Sequence, residues 1–236
     1  MLPWLHQTIH DLPALPAAPW LSHGEQERLV ALHVPKRRND WLLGRWTAKR
    51  LTQRVLAEGG YPLALDAIVI TPAPDGAPEL SLPPNVPMRH HSLSISHSNA
   101  RALCALGPQG SAIGADIEQI VNHHPSLVSS YFTAEEQALI AATPSALCAT
   151  MVTAIWSAKE SLLKALRVGL TVETQRVTCL PQTHDLARAQ STWTPLAASA
   201  PTLTNLPIQA WWWIYQGSIL TIIRVGAGEP CSPAPV

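Results

Sequence analysis

The chain has 236 residues, 47% hydrophobic and only 14% charged, a balance that excludes a disordered polymer and allows one large or two small folded domains. Lysine plus arginine and aspartate plus glutamate each number 16, so no global field draws the protein to nucleic acid or to an anionic membrane. Cys104, Cys148, Cys179 and Cys231 form no CxxC pattern and are expected as reduced thiols in a cytoplasmic protein.

The first eleven residues lack the basic start and apolar run of a signal peptide, and the most apolar stretch, 210–225, falls short of a membrane span. Ser22 followed by Glu25 reads as a capping box opening a short helix to about Leu32. Pro35 starts a longer helix that Gly59-Gly60 stops. Its expected buried side carries Trp41, Gly44, Ala48, Leu51 and Val55, while Arg38, Arg45 and Lys49 form a basic stripe elsewhere. Residues 67–71 read as a strand and 92–96 with 102–106 as a hairpin. After a Pro-Gln-Gly turn, 112–117 is a further strand.

The second half repeats this plan. Thr133-Ala-Glu-Glu136 is another capping box, and 145–168 reads as a long helix closed by Gly169. Strands follow at 172–180, 210–215 and 219–225, with 181–207 showing no clear period. The expected fold class is α+β, with two pseudo-symmetric subdomains, each a long helix packed on a small antiparallel sheet. They span 1–110 and 111–225, followed by a frayed Pro-rich tail at 226–236. That symmetry rests on element order alone.

Four constellations carry chemistry. In Gly114-Ala-Asp116-Ile-Glu118, strand periodicity puts both carboxylates on one face, where they repel unless they share a cation. Oxygen-only ligation suits magnesium, with manganese as a substitute, rather than zinc. Alone, such an alternation is also an ordinary edge strand. In Trp156-Ser-Ala-Lys159-Glu160-Ser-Leu-Leu-Lys164, residues 156, 160 and 164 share a helical face. Only four lysines occur in the chain, and two interrupt this otherwise apolar helix, where buried charge needs a partner or a metal. Ser94-Ile-Ser96-His97-Ser98 offers hydroxyl and imidazole donors suited to phosphate, without the elbow or third member of a nucleophilic triad. The fourth is the basic stripe of the first long helix.

In order and spacing these segments resemble the Sfp-type 4′-phosphopantetheinyl transferases. The likeness covers about 35–169: Arg-x-x-Trp-Leu-Leu-Gly-Arg-Trp-x-Ala-Lys, then Ser-Ile-Ser-His-Ser, Ile-Gly-Ala-Asp-Ile-Glu, Phe-Thr-Ala-Glu-Glu and Trp-Ser-Ala-Lys-Glu-Ser-Leu-Leu-Lys-Ala. The resemblance implies a cytoplasmic, monomeric enzyme that moves the phosphopantetheine arm of coenzyme A onto a serine of an apo acyl or peptidyl carrier protein, with 3′,5′-ADP leaving. It implies that Asp116, Glu118 and Glu160 ligate magnesium, and that Glu160 and Lys164 are catalytic. It further implies that Ser96 and His97, with Arg45, Arg38 and Lys49, bind the coenzyme's 3′-phosphate, while Lys159 and Lys164 contact its adenosine or phosphates. Two departures stand out. Ala77 occupies the Gly76-Ala-Pro78 turn where the family often has a basic residue, a role Arg89 could take over. Arg167 replaces the first glycine after the second long helix, which is expected to let that helix run further. Two other readings stay open: a catalytically silent coenzyme- or carrier-binding homologue, and another magnesium-dependent nucleotide phosphodiesterase.

Overall fold

A computed structural model describes residues 1–14, 19–87, 91–229 and 231–236. The first half contributes β1 (Leu2–Thr8), α1 (His23–Val30), α2 (Pro35–Glu58), β2 (Val69–Pro72), β3 (Pro78–Ser81), β4 (Ser92–Ser98) and β5 (Arg101–Gly107). The second contributes β6 (Ala112–Gln119), α3 (Pro125–Tyr131), α4 (Ala134–Ala141), α5 (Ser145–Ala165), β7 (Thr178–Leu180), α6 (Leu186–Ala189), β8 (Thr194–Ser199), β9 (Ile208–Tyr215) and β10 (Ser218–Val225), with β11 (Pro233–Pro235) in the tail. The fold is therefore α+β, as the sequence implies. Strand order is β11-β1-β5-β4 in one sheet and β6-β10-β9-β8-β7 in the other, and β2 and β3 form a separate hairpin. Among the described residues no helix is long and apolar enough to cross a membrane.

Each long helix lies on its own sheet. Helix α2 buries Leu42, Leu43, Gly44, Ala48, Leu51 and Leu56, whereas Trp41 and Val55, expected on that face, are only half-buried. The true apolar stripe is rotated toward 42 and 43, because the indole of Trp41 turns outward to lie against the Arg45 guanidinium, 5.2 Å from its carbon. Helix α5 buries Met151, Ala154, Ala158, Leu162, Leu163 and Ala165 against Trp212, Ile219 and Ile223.

The two halves share one unusual brace, which element order only hints at. In the first, Glu25 of the Ser22 capping box is buried and accepts from the Ser22 amide at 2.9 Å and from Lys49 of α2 at 2.5 Å. Lys49 also donates to the carbonyls of Trp20 and Leu65, and the Ile70 amide donates to Glu25. In the second, buried Glu136 of the Thr133 box accepts from the Thr133 amide, from Lys159 of α5 at 2.6 Å and from the Cys179 amide, while Lys159 also donates to the Val177 carbonyl. Even the next residue matches. Gln26 donates to the Leu21 carbonyl and Gln137 to that of Phe132. A Ser/Thr-x-x-Glu-Gln segment thus ties a helix start, a long-helix lysine and a strand together twice.

Several expectations give way. Residues 2–8, to which the sequence assigns no element, form β1, and part of the 181–207 stretch forms β8, where Thr194 and Leu196 point inward. The expected strand at 172–180 shortens to β7, preceded by two single turns. The tail, expected to fray, contains β11, which pairs parallel to β1, and Arg54 donates to the Val236 carbonyl at 2.8 Å. Helix α5 ends at Ala165, not 168. Arg167 takes φ 57°, the left-handed position usually given to glycine after a helix, and its amide and that of Val168 close the last turn on Lys164 and Leu163.

Candidate active site

Strands β4 and β6 are the facing edges of the two sheets, and a row of hydroxyls joins them. Alternate residues of β4 share one face, and all four on this face are serines. Ser92 donates to the Ser111 carbonyl at 2.9 Å, and Ser94 accepts from the Ala115 amide at 2.8 Å. Ser96 donates to Asp116 Oδ1 at 2.7 Å and Ser98 to Glu118 Oε2 at 2.9 Å. The seam between the halves therefore ends on the two carboxylates of β6.

Helix α5 crosses β6 at Gly114, where contact is so close that no Cβ fits. One placed there would meet the backbone oxygen of Ser161 and lie 2.8 Å from the Ala165 nitrogen. This approach brings Glu160 and Lys164, one turn apart, over Asp116 and Glu118. Ligand oxygens of Asp116, Glu118 and Glu160 lie within 4.8 Å of one another. Lys164 Nζ is 2.6 Å from Asp116 Oδ1, 3.1 Å from Ser96 Oγ and 3.7 Å from Glu160 Oε2.

Three carboxylates against one ammonium leave excess negative charge, which adds to burial in raising Glu118 and Glu160. Burial, then the charge of Asp116, pushes Glu118 up to about 7 despite the Ser98 hydrogen bond. Burial and Asp116 likewise raise Glu160, with Lys164 opposing. For Lys164, burial works to lower the value, but Asp116 and Glu160 outweigh it and raise it. Asp116 is 1% exposed, and its Oδ2 is buried without a hydrogen-bond partner. An orphaned carboxylate oxygen costs free energy unless something positive meets it. A hard divalent cation bound through oxygen fits this donor set.

The structure thus brings Ser96, Asp116, Glu118, Glu160 and Lys164 together. His97 is exposed on the opposite face of β4, packed toward Gly44 of α2 and within electrostatic reach of Asp40, Lys36 and Lys164. Arg45, next to Gly44, is mostly buried, its Nε 3.8 Å from Glu25, and burial lowers its pKa. Arg38 is half-buried near the start of α2. Lys49 and Lys159 are not brought to the carboxylates. Each is fully buried, with its ammonium engaged by Glu25 or Glu136 and by backbone carbonyls, so neither has surface to offer a ligand. The repeated Ser/Thr-x-x-Glu-Gln segment is the signal that could have assigned them to the brace.

Beside Lys164 opens a cavity of about 600 Å³ between the halves, walled by Ser92, Ser94, Lys164, Arg167, Asp75 and Glu79 among others. Arg167 crosses from one wall to the other. Nε is 2.7 Å from Asp75 Oδ2 and Nη2 is 2.9 Å from Oδ1, with Glu79 at 3.4 Å. Arg89, named from the sequence as a substitute cation for Ala77, lies outside the described residues.

Residues 112–207 match the family described as the 4′-phosphopantetheinyl transferase superfamily. No curated protein matches. Among solved structures, the chain is similar to the holo-[acyl-carrier-protein] synthase of Thermotoga maritima at 19% identity and TM-score 0.38, over 56% of this chain and 73% of that one. It is also similar to an ACPS–CoA complex from Chronobacterium ammoniagenes at 21% identity and TM-score 0.36, over 46% of this chain and 96% of that one.

Proposed function

We propose that the protein is a magnesium-dependent transferase that moves the phosphopantetheine moiety of coenzyme A onto a serine hydroxyl of an apo carrier protein, releasing 3′,5′-ADP. The carrying observation is the meeting of Asp116, Glu118, Glu160 and Lys164 in one site that joins the two halves. The family match over 112–207, which contains all four, supports the same reading.

Magnesium bound by Asp116, Glu118 and Glu160 would supply Lewis-acid neutralisation of the pyrophosphate. The protein's own groups divide the remaining tasks. Ser96 and Lys164 both hold Asp116 Oδ1, which fixes the carboxylate and leaves Oδ2 free for ligation. Glu160, one helical turn from Lys164 on the same face, can take the proton of the attacking serine. Lys164 stays charged and can neutralise the departing phosphate of the nucleotide. His97 and Arg45, on the α2 side, would receive the 3′-phosphate.

The test is intact-mass analysis of an apo carrier protein incubated with the chain, coenzyme A and magnesium, with an EDTA arm. The carrier is expected to gain one phosphopantetheine, and EDTA to abolish the gain. Asp116→Ala and Glu160→Gln should abolish it too while leaving the far-ultraviolet circular dichroism unchanged. Full activity in either variant would falsify the metal assignment.

A further inference from the structure

Among the described residues, Arg167 is the one charged residue of the four non-glycine residues at positive φ, the others being Asn99, Ala100 and Gln216. Asn99 and Ala100 sit in the β4–β5 turn and Gln216 in the β9–β10 turn, where left-handed backbone is routine. Arg167 instead ends α5 in a conformation that L-residues with a Cβ disfavour. Glycine would close this helix without strain, so a strained arginine lining a cleft points to use of its side chain. That side chain leaves the second half and reaches the β2–β3 turn of the first, the turn in which Ala77 stands.

The chemistry of the contact is that of an anion clamp. A guanidinium fork takes a carboxylate through two parallel hydrogen bonds and takes phosphate oxygens in the same way. Here Asp75 occupies the fork, with Glu79 behind it, and the Arg167 hydrogen bond holds the Asp75 carboxyl down to about 2. The Arg167 and Asp75 side chains are 47% and 36% exposed, and pairs this wet exchange partners readily. Lys164, the other lysine or arginine of the cavity wall among the described residues, is paired with the buried Asp116 beside the metal-ligand carboxylates, where it serves the departing phosphate. Arg167 is the one whose carboxylate partner is itself exposed.

We infer that Arg167 is an anion-binding residue of this cleft, held by Asp75 and Glu79 until a phosphate group of the entering coenzyme displaces them. The inference rests on the coenzyme reading given above. It makes Asp75 a competitor of the substrate, so removing Asp75 and removing Arg167 have opposite effects. A merely structural clasp predicts the same sign for both.

The experiment is calorimetric titration of the full chain, in magnesium, with coenzyme A and separately with pantetheine, which has no phosphates. Arg167→Gly suits the backbone, so its melting temperature is expected to hold or rise. Its affinity for coenzyme A should fall about tenfold, the size of one lost charge-assisted contact, with pantetheine binding unchanged. Asp75→Asn keeps the oxygen that accepts from the Ala77 amide, and should tighten coenzyme A about threefold by removing the competing state. Wild-type affinity in Arg167→Gly, an equal loss for pantetheine, or weaker binding in Asp75→Asn overturns the inference while leaving the coenzyme reading standing. If the wild-type chain itself fails to bind coenzyme A, both fall together.

Discussion

Gly114→Ala adds one methyl group at the point where α5 crosses β6, and its consequences can be worked through from the local geometry. The new Cβ would lie 2.8 Å from both the Ala165 nitrogen and the Ser161 carbonyl carbon, and closer still to the Ser161 oxygen, where ordinary contacts start at 3.4 Å. All three are backbone atoms, so no side chain can swing aside. The helix must lift from the strand by on the order of 1 Å. Overpacking of this kind costs about 1–3 kcal/mol, or roughly 3–10 °C of melting temperature for a chain of this size. The larger effect falls on the site. Ser161 and Ala165 directly follow Glu160 and Lys164, while Gly114 lies two residues before Asp116, so the lift separates the helix-borne groups from the strand-borne ones. A misplacement of this size costs about 10²-fold in rate. The assay pairs thermal melts, with and without magnesium, with carrier modification measured at a temperature where the variant is fully folded. The expected result is a modest loss of melting temperature, a lost magnesium-induced upshift and a rate reduced about a hundredfold. Wild-type melting together with wild-type magnesium response would refute the claim that backbone contact at Gly114 sets the site.

Two further outcomes follow from the charges. Glu118 has its folded value raised to about 7 from an ordinary 4.5, so the stability it contributes to metal-free protein is fully present below 4.5 and is lost as pH rises through about 7. Ligation requires the deprotonated carboxylate, so magnesium affinity should fall as pH drops through the same window. Melts in EDTA and in magnesium across that range should diverge as pH rises, and a magnesium shift independent of pH would contradict the raised carboxylates. Lys159→Met strands the buried Glu136 carboxylate, which keeps only its backbone donors from Thr133 and Cys179. Breaking a buried pair from one side costs about 3–5 kcal/mol, which denaturant melts will read. Coenzyme affinity of the folded variant should stay at the wild-type value, whereas a ligand contact by Lys159 would lower it.

The sequence by itself determined the fold class, both capping boxes and both long helices, because these depend on contacts three or four residues apart that a linear pattern records. It also marked Asp116, Glu118, Glu160 and Lys164, since strand and helix periods place each pair on one face without knowledge of the rest. Tertiary structure alone decided how the two pairs meet, through the close passage of α5 over Gly114. It decided too that the serines of β4 form the seam between the sheets, with Ser96 holding Asp116. It moved Lys49 and Lys159 out of the site and into twin braces. Whether a lysine faces solvent or a glutamate 23 or 24 residues away is fixed by long-range packing, which no local period encodes. The same holds for β1, β8 and β11, short strands whose partners lie far along the chain. At Arg167 local propensity favours a continued helix, but the fold ends the helix at Ala165. The left-handed turn there costs local free energy, and the contact it allows with Asp75, 92 residues away, is visible only once the two halves are side by side.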